Sequence, residues 1–493
     1  MKGAWKILLT IALTLVPAQV KGSNSGILVR VSQQGLSYAA QKTVDYLYDK
    51  YKHEKIDDVI EDGEDERINY NLTNLKIDTL DAPTFNLNIN QGRGVSPALK
   101  MGYLKASGTF SFTYKIWFLS FTKNGTFSAT ARQTDVDTKF AVGMDRTGRP
   151  TAALNSCSGS LGSFDVNVDT DGLVGWILRY FDGTVNRYLH RKLEPMICKQ
   201  ISRYVTKKLN PELQTMNVTK KWQTSGLLLD YSLVQPPTFG ANFIDTNIKG
   251  DLSWKGRRSR SAALTSIKRD WPVIPGSDKK MATIYMTDHI MNSLGDFFHN
   301  DKKLTYNVTR EESSLDDFHI LMLSCPDTGA CLGAMFPDLS SRYPDGWFEF
   351  DLRTVSPPRL MIGRSEVIGK IHGAADIFVK MPNGDRTKVG SATAHLRIPF
   401  TLKMKGGNLT AHLEKPIIRV TPTHFVTPEI EKLLKDLSSG FASHQLEGFA
   451  GKGIPLPSFK DIGLVNSHIQ VKDGVIAIST DVDYSGTVND IIP

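Results

Sequence analysis

Between Leu173 and Leu209 an apolar residue recurs at every fourth position: Leu173, Ile177, Phe181, Val185, Leu189, Leu193, Ile197, Ile201, Val205 and Leu209. Trp176, Tyr180 and Tyr188 widen the stripe. This is the pattern of an amphipathic helix. At about 1.5 Å per residue it reaches on the order of 50 Å. A spacing of four drifts around a 3.6-residue helix, so the stripe winds across whatever it packs on. Pro195 predicts a bend in the second half. Cys198 lies on this helix, and Cys157 precedes it in a Ser/Gly-rich, strand-like stretch. The expected arrangement is a long helix stapled to a sheet, closing an elongated apolar cavity. Leu173, Ile177, Phe181, Leu189, Ile197 and Ile201 are the candidate wall.

The rest of the 493-residue chain alternates between two periods. The stretch from Ser25 to Tyr51 starts extended and becomes helical, with a first stripe at Leu36, Ala40, Val44, Leu47 and Tyr51. The acidic run from Glu54 to Glu66 follows and reads as a solvated loop. From Ile68 to Val168 the period falls to two: Leu75 and Ile77, Phe85, Leu87 and Ile89, Phe110 to Phe118, then Phe164, Val166 and Val168. These are half-buried antiparallel strands, with a turn expected at Asn124-Gly125. The plan then repeats. A helix is expected with Ile284, Ile290, Leu294 and Phe298 on one side, then strands, then a helix capped by Thr427 and started by Pro428, then closing strands. Helix and strand runs of this kind predict an α+β fold.

The length allows two domains. Residues 1–22 read as a signal peptide, with Lys2 and Lys6 before an apolar run too short to span a bilayer. Residues 23–250 form the expected first domain and 281–493 the second. Between them, 251–280 is a basic, Ser/Arg/Pro-containing linker without periodicity. The mature protein is expected to be secreted, soluble and extracellular. Five sequons suit that route: Asn71, Asn124, Asn217, Asn307 and Asn408. Four cysteines allow three pairings. Cys325 and Cys331 flank a Pro/Gly loop that can close locally, which favours Cys157 with Cys198. No Cys/His spacing suits a metal.

The chain carries a net charge of +8, concentrated in the first half and the linker. That points to anionic lipid or glycan partners; a merely solubilising surface would look the same in composition. No GxSxG elbow, HExxH pair, phosphate loop or dinucleotide fingerprint is present, and the eleven histidines are scattered, so no catalytic residue is assigned. The stretch FSFTYKIWFLSFTKNGTF (110–127) is a candidate membrane-contacting hairpin. Lys115, Ile116, Trp117, Phe118, Leu119 and Lys123 would meet the headgroup boundary there, although ordinary strand packing explains the same pattern.

The opening GILVRVSQQGLSYAAQ, the helix VGWILRYFDGTVNRYLHRKLEPMICKQI with its Cys partner, DYSLVQPPTF, and the closing GKGIPLPSFKDIGLVNSHIQVKDGVIAISTDVDY resemble the bactericidal/permeability-increasing and lipopolysaccharide-binding proteins. These are akin to the cholesteryl ester and phospholipid transfer proteins. The resemblance implies an elongated boomerang of two tubular lipid-binding domains, each a twisted antiparallel sheet wrapped on long helices, joined by a central sheet. It implies a phospholipid in each apolar pocket and no other cofactor, and it places the family's single disulfide on Cys157 and Cys198. It further implies binding of bacterial lipopolysaccharide or another anionic lipid in antibacterial innate defence, by surface contact and not by spanning. Lys105, Lys115, Lys123, Arg132, Lys207 and Lys208 would meet phosphates while Trp117 and Phe118 enter the acyl layer. The tip hairpin is more aromatic and less basic than in the bactericidal members, and the Cys325/Cys331 loop is an addition. The alternative is an extracellular lipid carrier without an antimicrobial role. No nucleic-acid or metal partner is implied.

Overall fold

The computed structural model describes residues 25–51, 59–62, 68–116, 119–169, 195, 197–222, 226–254, 257–258, 271–309, 318–325, 331–424, 427–457, 462–472 and 474–484. The first strand, β1 (Ile27–Ser32), runs directly into helix α1 (Gln33–Tyr51). Ala40 and Val44 of the predicted stripe are buried. Next come β2 (Val59–Asp62), β3 (Ile68–Leu80), β4 (Thr84–Asn90), β5 (Gly94–Ile116), β6 (Leu119–Met144) and β7 (Pro150–Asp169). They form one antiparallel sheet in the order β2-β3-β5-β6-β7, with β4 paired to β5 beyond the end of β3. Strand β2 takes Glu61 and Asp62 out of the expected acidic loop and pairs them with Tyr70 and Asn69.

Strands β5, β6 and β7, of 23, 26 and 20 residues, are about four times the usual length, because period-two alternation persists through them. Opposed residues share a face. Ile77, Ala106, Ala129 and Val166 lie across one another on the apolar side, and Thr79, Lys105, Thr130 and Asp165 on the polar side. Strands this long must curl. Register shifts beside Asn74, and the left-handed backbone of Asn74 (φ 53°) and Gln133 (φ 53°), supply the bends. The expected turn at Asn124-Gly125 is not there. Both residues are inside β6, opposite Ser111 and Phe110, and the hairpin closes with Ile116 opposite Leu119. An Asn-Gly pair favours a turn locally, but the cross-strand pairing of β5 and β6 extends past it.

Residues 197–204 are helical. Val205–Leu209 form a π-helical turn in which the Asn210 N–H donates to the Val205 carbonyl, and Asn210–Thr215 return to α-helix. We call 197–215 α2. The wide turn falls just before Pro211, which has no N–H to give the carbonyl four residues back. Pro195 itself is helical.

Then follow β8 (Thr219–Trp222), β9 (Leu227–Asp230), β10 (Thr238–Phe239), β11 (Phe243–Ile248), β12 (Asp251–Trp254) and β13 (Arg257–Arg258). Strands β13-β12-β9-β8 make a small sheet. Residues 251–254, assigned to the linker on composition, are thus an ordered strand whose Leu252 is buried.

The second half contains β14 (Ala282–Met286), α3 (His289–Asn300), β15 (Thr305–Val308), α4 (Pro337–Arg342), β16 (Trp347–Thr354), β17 (Arg359–Ile362), β18 (Val367–Lys380), β19 (Arg386–Lys405), β20 (Asn408–Leu413), β21 (Ile417–His424), α5 (Pro428–Lys452), β22 (Ile454–Pro455), β23 (Ile462–Lys472) and β24 (Val475–Tyr484). Ile284, expected on a helix, is in β14, where all five residues are buried between two strands. Such a continuous apolar run carries no period that separates strand from helix. Ile290 and Leu294 do lie on α3 and are buried. Thr427 occupies the cap position of α5 with extended backbone, but its side chain makes no capping bond.

The sheet β15-β16-β18-β19-β20-β22, with β17 on β18 and β21 on β19, is again antiparallel and built around long strands, here the central pair β18 and β19. A third sheet, β10-β11-β1-β14-β24-β23, draws on both ends of the chain. Its apolar core joins Ile27, Ile248, Ile284 and Ile478 to Trp222, Leu409 and Leu456. Trp222 Nε1–H donates to the Gly453 carbonyl at 2.7 Å. Gly453 ends α5 at φ 69° and ψ 177°, a conformation open only to glycine.

Candidate functional site

In the first half, α2 lies along β7. Cys198 is disulfide-bonded to Cys157, with Cα atoms 5.7 Å apart. Twelve residues on, the Asn210 carboxamide accepts from the Ala152 N–H and donates to the Ala152 carbonyl, each at 2.9 Å. Twelve helical residues span about 18 Å, and the five strand residues from Cys157 back to Ala152 about 17 Å. The two fastenings therefore hold helix and strand antiparallel and in step. Along this stretch Ile197, beside Cys198, and Ile201 are half-buried and Val205 is buried, one turn apart on one side. Leu173, Ile177, Phe181 and Leu189 lie outside the described residues. Asn210 escaped the sequence reading because an Asn before a Pro reads as a turn.

In the second half, Ile430, Leu434 and Ser438 lie at successive helical turns of α5 and face the curled sheet. Here a small apolar cavity of about 50 Å3, open to solvent on one side, lies between α5 and strands β16, β18, β19 and β21. Leu304, Leu352, Ile371, Leu396, Val420 and Leu434 supply its bulk. Its floor is Gly373, Ala374, Ala375, Ala392 and Ala394, whose small side chains leave the space that larger ones would fill. Strand periodicity is legible in the sequence, but this run of small residues carries no period that marks a floor.

The cationic residues read from the sequence do not converge. Lys105 and Arg132 are on the polar face of the first sheet, where Arg132 meets Asp165 at 3.5 Å and covers the Tyr103 ring. Lys123 is exposed near the hairpin end of β6. Lys207 and Lys208 are exposed at the opposite end, beside the Asn210 clamp. The strand path between Lys123 and Met144 alone is about 70 Å. Trp117 and Phe118 lie outside the described residues. Lys115, Ile116 and Leu119 are placed only as backbone, with Lys115 opposite Ser120 and Ile116 opposite Leu119.

Four sequon asparagines, Asn71, Asn124, Asn217 and Asn307, are exposed, and Asn408 is half-buried with its amide donating to the Lys452 carbonyl. Asn71 and Asn124 both stand opposite Ser111, hence on the polar face. Cys325 and Cys331 are disulfide-bonded across six residues. Near the junction, burial pushes the Tyr231 phenol well above its ordinary range, and its hydroxyl donates to the Pro455 carbonyl.

Two curled antiparallel sheets, each with a helix laid on its apolar face, sharing a central sheet, define a two-domain tubular lipid-binding protein. The sequence profile of the LBP / BPI / CETP family, C-terminal domain, matches residues 223–484, and that of the N-terminal domain matches residues 35–216. The chain belongs to this family. It is 24% identical to the lipopolysaccharide-binding protein of Homo sapiens over 97% of each chain. It is 22% identical to the bactericidal permeability-increasing protein of Sebastes schlegelii over 97% of this chain and 99% of that one. The crystal structure of lipopolysaccharide binding protein superposes with a TM-score of 0.59 at 22% identity, covering 94% of this chain and 100% of that chain. The second profile begins between β8 and β9, so β9, β12 and β13 of the small sheet fall within it and β8 lies between the two profiles.

Proposed function

We propose that this chain is a secreted, non-enzymatic lipid-binding protein that holds phospholipid acyl chains on the apolar faces of its two sheets and binds bacterial lipopolysaccharide in innate defence. The observation that carries the reading is the cavity under α5, apolar in its walls and floored with small residues. The similarity to a lipopolysaccharide-binding protein along almost the whole chain supports the ligand class. No helix among the described residues is long and apolar enough to cross a membrane, which suits contact with a lipid surface. The test is mass spectrometry of lipids extracted from protein purified from a secreting host, paired with lipopolysaccharide titrations at rising salt. Two-chain phospholipids in the extract and affinity that falls steeply with salt are expected. An extract free of acyl lipids would sink the cargo reading.

A second reading, lipid transfer without a microbial target, is favoured by the dispersal of the first half's cations into separate places. Transfer between neutral vesicles with no affinity for lipopolysaccharide would select it.

A further inference from the structure

From residue 281 onward the chain has more carboxylates than cations, yet strand register gathers four of its cations on one face of the second sheet. Across β17, β18, β19 and β21 runs the row Arg359, Lys370, Arg397, Ile417. Two residues along runs the row His372, His395, Arg419. Val355 extends it, since its N–H donates to the His372 carbonyl. Directly opposed residues share a face, and residues two apart on a strand are neighbours there. The face is the one turned away from the α5 cavity, because Ile371, Leu396, Ile418 and Val420 alternate inward. All of these residues but the half-buried His372 are exposed. The two imidazoles stack with centroids 4.1 Å apart and planes 12° from parallel, a flat platform between the cations.

Like charges directly opposed across strands destabilise a sheet. Two of the four are balanced: Arg359 by Asp296 at 2.7 Å and Arg397 by Glu366 at 3.2 Å. Among the described residues, Lys370 and Arg419 have no ion-pair partner. Around them stand exposed aliphatic side chains, Met361 at 47%, Val355 at 48% and Ile417 at 55%. Unbalanced cations interleaved with exposed aliphatics suit a lipid headgroup layer, where the cations meet phosphates and the aliphatics enter the acyl boundary. A soluble polyanion would satisfy the cations and leave Met361, Val355 and Ile417 in water.

We propose that this outer face of the second sheet, centred on Lys370 and Arg419, docks on the surface of an anionic lipid layer. The proposal is independent of the cargo under α5 and of the hairpin at Ile116 and Leu119.

The test is flotation of the full chain with phosphatidylcholine vesicles, with and without phosphatidylglycerol. Two variants are compared with the parent: Lys370→Glu/Arg419→Glu, and Met361→Ser/Ile417→Ser. Each is made also in a Lys115→Glu/Lys123→Glu background, which removes the hairpin's charge. The expected result is a loss of affinity for the anionic vesicles of about tenfold or more for the charge variant in both backgrounds, a smaller loss for the aliphatic variant, and an unchanged unfolding temperature. If charge reversal impairs folding, Lys370→Gln/Arg419→Gln replaces it. Unchanged vesicle affinity in the hairpin-reversed background overturns the proposal. So does an aliphatic variant that binds as well as the parent, since the contact would then be with a soluble polyanion.

Discussion

Asp481 shows how much one carboxylate can tie together. It lies on β24, accepts from Lys280 Nζ at 2.7 Å just ahead of β14, and accepts more weakly from Asn466 at 3.4 Å in the bulge of β23. The Lys280 hydrogen bond holds its carboxyl below the usual carboxylate range, against a smaller opposing effect of burial. The unfolded chain therefore binds this proton at higher pH than the folded one. A carboxyl depressed on folding stabilises fully above its unfolded value, about pH 3.9, and that stability is lost as pH falls through the folded value. The expected outcome is an Asp481→Asn variant less stable than the parent at neutral pH, the gap closing below about pH 4. Denaturant midpoints at neutral and acid pH would check it; a gap that persisted in acid would assign the loss to packing. At this scale the cysteines were legible, because four of them allow only three pairings and one pair sits six residues apart. Asn210 and the Lys370/Arg419 pair were not. Their roles come from strand register and helix docking, which residue type does not encode.

The elements were legible wherever one face is wet. Alternation in β3 to β7 and the stripes of α1 and α5 carry their period because one side of each meets solvent or a cavity. Where both sides are covered the period vanishes, which is why Ile284 of β14 read as helical. The four-residue stripe of α2 was read from its spacing, and its attachment to β7 rests on the disulfide and on the Asn210 clamp. The two disulfides differ in what they restrain. Cys157–Cys198 closes a loop of 41 residues and Cys325–Cys331 one of 6. On chain entropy alone the first contributes about 4 kcal/mol and the second about 2 kcal/mol. Cys157→Ala/Cys198→Ala is thus expected to lose about twice the stability of Cys325→Ala/Cys331→Ala, measured by equilibrium denaturation. Only the first should also loosen retained lipid, because only it holds a helix against a sheet face. Equal losses would mean that the Asn210 clamp alone keeps α2 on β7.

At the scale of the molecule the halves are joined by insertion rather than by a tether. In the central sheet β10, β11, β14, β23 and β24 all fall within residues 223–484, the span of the second family profile. Strand β1 comes from the other end of the chain and sits between β11 and β14, hydrogen-bonded to both. Ile27 and Leu28 are fully buried on its two sides, Ile27 in the junction core with Ile248 and Ile284, Leu28 against Ile274 and Tyr285. Sequence showed the two-fold plan but not this exchange, since nothing in GILVRVS names its partners about 210 to 260 residues away. A strand inserted in this way forces the second half to lose its own sheet when the first half pulls out. The intact chain should therefore unfold in one cooperative transition. A Leu28→Asp variant, which buries an unpaired carboxylate, should split it into two, with the first sheet and the β16 to β21 sheet losing hydrogen-exchange protection at different denaturant concentrations. Exchange mass spectrometry resolves the two sets of peptides. Two separate transitions already present in the parent chain would show that β1 fastens the halves less firmly than its burial indicates.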